Sequence, residues 1–292
     1  MTRSSWTCRL LLAWALGCAL AGCGNEAPAA DAATLTLDSA DAMLDRGQDT
    51  AAVSAFDRAI RLNPRLAGAF RGRGVAHRNL GHLDLAVRDY DSAIALDSTI
   101  AGTWNSRGFA LQLMQEHERS VRDFDRALAL DPAYAQALKS RGRSHFYLGH
   151  FGAAAADLGE GLKWDSANLY LPIWIHMAAS RAGDSDTVRL AAQVAALDLS
   201  PWPGPVAKFY LGRISAAELA AAAASSDSAV QADQRCAVAF HLAEYLLWQP
   251  AAPLDSARRH LEEAVATCPH RFSEYLGAKA DLERLQDRAS AR

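Results

Sequence analysis

The feature that most constrains this chain is self-similarity at a period of 34 residues. Three stretches align without gaps, from Ala67 (AGAFRGRGVAHRNLGHLDLAVRDYDSAIALDST), Ala101 (AGTWNSRGFALQLMQEHERSVRDFDRALALDPA) and Ala135 (AQALKSRGRSHFYLGHFGAAAADLGEGLKWDSA). The segment from Arg46 to Leu66 matches their second half in register. A period of this length points to stacked supersecondary units, each burying its apolar face against its neighbours. Small residues stand where two helices touch: Gly74, Gly108 and Gly142 in a first helix, then Ala52, Ala86, Ser120 and Ala154 early in a second. Bulky ones fill the space between: Phe70, Trp104 and Leu138, then Phe56, Tyr90, Phe124 and Leu158. Pro64 and Pro132 stop the second helix, which proline cannot extend, and Ser98 and Ser166 hold that place in the other copies.

These positions resemble the tetratricopeptide repeat (TPR), two antiparallel helices per unit. The resemblance implies an all-α fold, an α-solenoid whose antiparallel helix pairs wind into a right-handed superhelix. About four repeats are expected over residues 34–168, the opening helix lying in TLTLDSADAMLDRG. Residues 169–235 read as a degenerate repeat interrupted by SPWPGP, with short helices over 206–212 and 215–224. Ser215 and Glu218 have the spacing of a capping box. The period returns over 236–292 as a C-terminal repeat-like pair with an enlarged turn and a closing helix.

Ahead of the repeats, Arg3 and Arg9 precede an apolar run from Leu10 to Ala21. At a rise of 1.5 Å per residue that run is too short for a bilayer core, which takes about 20 residues. A basic region, a short apolar run and small residues have the layout of a signal peptide over residues 1–22. Leu20, Ala21, Gly22 and Cys23 resemble a bacterial lipobox, which implies cleavage before Cys23 and its lipidation; the alternative is an ordinary signal peptide with a chance cysteine. Gly24 rather than aspartate follows, which favours the outer membrane. Residues 23–33 read as a flexible lipidated tether spanning about 15–20 Å.

The order of parts, a lipobox, a tether, four repeats, PIWIHMAASRAGD, WPGPVAKFYLGRISAAEL, AFHLAEYLL and AVATCPHRFSEYLGAKADLERL, resembles the NlpI-like outer-membrane lipoproteins across nearly the whole chain. That resemblance implies a homodimeric adaptor on the periplasmic face of the outer membrane. It would capture peptidoglycan hydrolases as protein clients and present them to a processing protease of the tail-specific type. Competing classes are a pilotin-like lipoprotein escorting a secretin, and an enzyme accessory or solute-binding module.

Charge is distributed unevenly within the repeats. Over the three full copies the first helices carry seven basic and no acidic side chains, while the second helices are net acidic. Arg73, Arg107 and Arg141 share one repeat position, and Asp89, Asp123 and Asp157 another, so each copy is expected to hold an ion pair between its helices. First helices line the concave face of such an array. Setting the paired arginines aside, Arg71, Arg78, Lys139 and Arg143 remain as groove candidates, with Asn105, Phe109, Gln112 and Phe146 beside them. Such a face suits an extended segment bearing acidic and apolar side chains; a merely solvated face would look the same.

With the leader removed, Cys236 and Cys268 are the remaining thiols besides Cys23. They fall just before the first helix and just after the second helix of the last repeat, neighbouring ends of a hairpin. A disulfide there is sterically reasonable; two buried thiols are the alternative. The nine histidines are spaced by repeats rather than clustered with carboxylates, so no metal or other cofactor is expected. No phosphate-cradling loop or nucleophile elbow occurs, which argues against an enzyme and leaves no catalytic residue to name. Loss of Arg3 and Arg9 takes the formal charge from −3 to −5, which does not favour nucleic acid.

Overall fold

Alanine- and leucine-rich segments punctuated by glycine and Asx turns produce fifteen helices and no strand among the described residues. The computed structural model describes residues 26–184, 187–249 and 251–290. The signal segment and Cys23 lie outside the described residues.

The first pair is α1 (Glu26–Asp45) and α2 (Asp49–Leu62). Then come α3 (Ala67–Asn79) with α4 (Leu83–Leu96), α5 (Ala101–Leu113) with α6 (His117–Leu130), and α7 (Ala135–Tyr147) with α8 (Phe151–Leu162). The expected tether is corrected here from residue 26 on, because α1 begins at Glu26. Alanine is the strongest helix former, and Ala33 is fully buried where α1 packs on its neighbours α2 and α3. The segment thereby becomes part of the first repeat.

Both kinds of turn follow from sequence. Between the helices of a pair, Gly47, Gly81, Gly149 and Gly183 all have φ between 69° and 85°, the left-handed conformation that lacks a Cβ penalty only for glycine. Gln115 holds the equivalent corner at φ 64°. Between pairs, Asn63, Asp97 and Asp131 accept a hydrogen bond from the backbone N–H two residues on. That Asx turn forms without proline, which is why Ser98 is tolerated where Pro64 and Pro132 stand.

Close packing inside each pair rests on the small residues. A Cβ on Gly142 would lie 2.8 Å from Leu158 Cγ and 3.2 Å from the Ala154 carbonyl oxygen. The early repeats hold small separate cores, around Phe56, Tyr90 and Phe124.

The second half is built differently. It contains α9 (Tyr170–Arg181), α10 (Thr187–Val194), α11 (Gly204–Tyr210), α12 (Ala216–Ala222), α13 (Ser228–Trp248), α14 (Leu254–Thr267) and α15 (Ser273–Ser290). The capping box opens α12: Glu218 N–H donates to Ser215 Oγ and Ser215 N–H to Glu218 Oε2. Helix α13 starts two turns before Cys236, so that cysteine lies inside a helix rather than ahead of one; Asp227 caps the added turns. The chain then folds back, and α15 packs on α7, α13 and α14. One continuous core results, running from Phe146 and Leu158 through Trp174 and Phe240 to Leu276 and Leu285.

Candidate functional site

The first-helix arginines are largely consumed by structure. Arg73 Nε and Nη2 donate to the two carboxylate oxygens of Asp89 at 2.9 and 2.6 Å, and Nη1 donates to Asp57 of the preceding pair. Arg107 does the same with Asp123 and Asp91, and Arg141 with Asp157 and Asp125. Each arginine therefore joins an aspartate sixteen residues ahead to one sixteen residues behind, riveting two repeats as well as two helices. The hydrogen bonds to Asp89, Asp123 and Asp157 outweigh burial and raise the three guanidinium pKa values. Pairing with the earlier repeat went unforeseen, although Asp57, Asp91 and Asp125 recur at the same period.

Among the groove candidates, Arg71 is exposed, and Arg78 is half-buried with its guanidinium 5.4 Å over the Phe109 ring. Asn105 is half-buried, its Oδ1 without a hydrogen-bond partner. Lys139 is clasped by Asp165, Nζ to Oδ2 at 3.0 Å, and so is not a free cation. Two candidates are corrected outright. Gln112 is 2% exposed and donates to the Ser140 carbonyl (2.9 Å) and Ser144 Oγ (2.7 Å), because its amide replaces an apolar contact between α5 and α7. Phe146 is fully buried, edge-on to Phe151 and Trp174 with centroids at 5.2 and 5.0 Å. In an open solenoid its position faces the groove; here α9 and the returning chain cover it.

That return creates a cleft of about 570 Å³ beside Arg143. Helix α7 contributes Lys139 and Arg143, α9 contributes Tyr170 and Trp174, and the wall opposite is Arg271, Phe272 and Glu274. Arg143 forms no ion pair with a carboxylate among the described residues. Burial raises the Glu274 carboxyl above the ordinary range, opposed by its own backbone N–H and the charge of Arg143. The arrangement sets a half-buried guanidinium without an ion-pair partner among the described residues in a cleft with aromatic walls, Asp233 and Glu274 also in its lining, which suits a carboxylate with an apolar neighbour. Trp174, Phe272 and Glu274 carried no sequence signal, because they reach the cleft only through the fold-back.

Two features fix that wall. Cys236 and Cys268 are bonded across α13 and the end of α14, with Cα atoms 5.0 Å apart. On the far side, buried Arg181 donates to Glu244 (3.0 Å) and Asp281 (2.8 Å). Arg284 bonds Asp281 and the Tyr147 carbonyl, tying α15 to α7. Burial, then the nearby Asp281 charge, pushes the Glu244 carboxyl well above the ordinary range. Burial works to raise Asp281 as well, but the Glu244 hydrogen bond and the charges of Arg181 and Arg284 outweigh it and hold it at about 2. Burial thus favours the neutral form of Glu244, while the charges of Arg181 and Arg284 favour the ionised form of Asp281.

Among the described residues no three His, Cys, Asp or Glu side chains gather as metal ligands, and no helix is long and apolar enough to cross a membrane. Neither a protein-family model nor a curated protein matches the sequence. Solved structures share the fold. A tetratricopeptide repeat protein from Parabacteroides merdae superposes with TM-score 0.57 at 17% identity, covering 86% of this chain and 98% of that one. MamA superposes with TM-score 0.51 at 18% identity over 56% of this chain and 92% of its own. YrrB, a TPR protein with an unusual peptide-binding site, does so with TM-score 0.50 at 13% identity over 59% and 94%. The chain is an all-α TPR solenoid.

Proposed function

We propose that this protein is a lipid-anchored adaptor of the bacterial outer membrane that holds an extended segment of a client protein in the cleft beside Arg143. The observation that carries the reading is that Arg143, unlike Lys139 and Arg141 of the same helix, has no ion-pair partner among the described residues and stands in a cleft with aromatic walls, where its charge acts on Glu274. An unpaired, partly buried guanidinium costs solvation unless an anion meets it. The peptide-binding use of the same fold in YrrB supports a polypeptide as the source of that anion.

The compartment rests on Leu20 to Cys23, and the Cys236–Cys268 bond suits an oxidising space. Peptidoglycan hydrolases as clients, presentation to a tail-specific protease and homodimerisation rest on the likeness to NlpI-like lipoproteins. In this mechanism the protein does no chemistry. It raises client concentration at the membrane and offers the bound segment to a second protein.

Affinity capture from solubilised envelopes tests the reading, comparing the wild-type chain with Arg143→Gln. Wild-type protein retains hydrolases and the variant loses them; identical partners for both would remove the cleft from the account. Cys23→Ser should release the protein from the membrane fraction.

A further inference from the structure

A second cleft, of about 640 Å³, opens on the other side of the segment that follows Cys268. Its walls are the corner after α3, the same corner one repeat later, and the stretch from Pro269 to Tyr275. Arg271 lines both clefts, so this stretch is the partition between them.

Two independent observations single the cleft out. Its lining includes Arg78 and Arg271 but no Asp or Glu, in a chain with 33 acidic and 30 basic side chains. Among the described residues neither arginine pairs with a carboxylate: Arg78 lies over Phe109 and donates to Asn79 Oδ1 at 3.1 Å, and Arg271 lies over Phe272 at 5.8 Å. Leu80 and Leu113 supply apolar wall beside them.

The other observation is the backbone of Gln115. Its φ of 64° is the conformation that four equivalent corners fill with glycine. A side chain there costs stability, and Gln115 is among the residues that line this cleft. Its amide carries both a donor and acceptors, the pair of functions that reads a peptide backbone.

We infer that this cleft docks an extended acidic segment of a partner protein. Carboxylates of the segment meet Arg78 and Arg271, its apolar side chains rest on Leu80 and Leu113, and Gln115 bonds its backbone. The site is distinct from the cleft beside Arg143 and does not depend on the reading given to that one.

The test is fluorescence anisotropy with the purified full chain. The probes are a labelled ten-residue peptide alternating Glu with Leu, and its Lys-for-Glu counterpart. The Glu peptide should bind and the Lys peptide should not. Arg78→Gln should weaken binding about tenfold, the loss of one charge-assisted hydrogen bond. Gln115→Gly should weaken it about fivefold while leaving the thermal midpoint unchanged or higher, a combination a purely structural residue would not give. Arg58→Gln, at an exposed arginine outside both clefts, should leave it within about twofold. The inference is overturned if neither peptide binds, if both bind alike, or if Arg78→Gln and Gln115→Gly leave affinity unchanged. Loss confined to Arg143→Gln would also overturn it, placing the peptide in the first cleft.

Discussion

Removing the Cys236–Cys268 bond with the double variant Cys236→Ala, Cys268→Ala should destabilise the second half of the molecule selectively. The bond closes a loop of 32 residues, for which loop-closure entropy in the unfolded chain gives about 3.7 kcal/mol at 25 °C. That corresponds to about a 500-fold change in the unfolding equilibrium. The loop lies within the continuous core that contains Trp174, while the early repeats have separate cores, so the loss should be local. Urea melts followed by tryptophan emission measure it. With a slope of about 1–3 kcal/mol/M, the midpoint of the transition reporting Trp174 should fall by about 1.2–3.7 M. Wild-type protein in reductant should follow the variant. A midpoint shift under about 0.5 M at unchanged slope would refute the argument, showing that the fold-back restrains these two positions without the bond.

Other outcomes follow from packing and charge. Gly142→Ala should cost about 1–3 kcal/mol, because its Cβ would meet Leu158 Cγ at 2.8 Å and the Ala154 carbonyl behind it; an unchanged melting temperature would contradict this. Asp281→Asn should cost about 3–5 kcal/mol by removing the charge that Arg181 and Arg284 favour, whereas Glu244→Gln, which mimics the neutral carboxyl that burial favours, should cost less; equal losses in urea melts would contradict this. Burial holds the His241 pKa down to about 3 and that of His117 to about 4. Between those values and the unfolded pKa of about 6.5 the unfolded chain binds more protons, so stability falls as pH drops, by up to about 1.4 kcal/mol per unit for each histidine. Melting temperature against pH should flatten for His241→Gln relative to wild type, and parallel curves would count against the assignment.

The helix pairs of α3 to α8 were legible because each contact that builds them lies within one period. Gly142 against Leu158 and Arg141 against Asp157 are local pairings that recur, and recurrence is visible in a single sequence. The turn glycines recur at the same period and are equally legible. The burial of Phe146 was not legible. Its position in the repeat is a groove position, and only the arrival of Trp174 and the C-terminal chain changes its surroundings. Gln112 failed for a related reason: a polar residue type suggested solvent, but Ser140 and Ser144 give its amide what water would have given. The start of α1 shows the limit of composition, since small polar residues that suit a linker also suit a helix once Ala33 has a surface to bury against.

The arginine rivets have a consequence for how long such an array can be. Because each guanidinium reaches an aspartate equally far ahead and behind, the pattern is blind to repeat number. Excising residues 101–134 would deliver Asp91 to Arg141 in place of Asp125, with Asp157 still ahead. Nothing in that ladder says when to stop. What counts the repeats is the strap from Pro269 to Tyr275, which must reach the corners after α3 and α5 to wall off the second cleft. Adding or deleting one repeat would leave every rivet made and the strap facing the wrong corner. Stacking stability is therefore extensible, whereas the second cleft exists at a single array length.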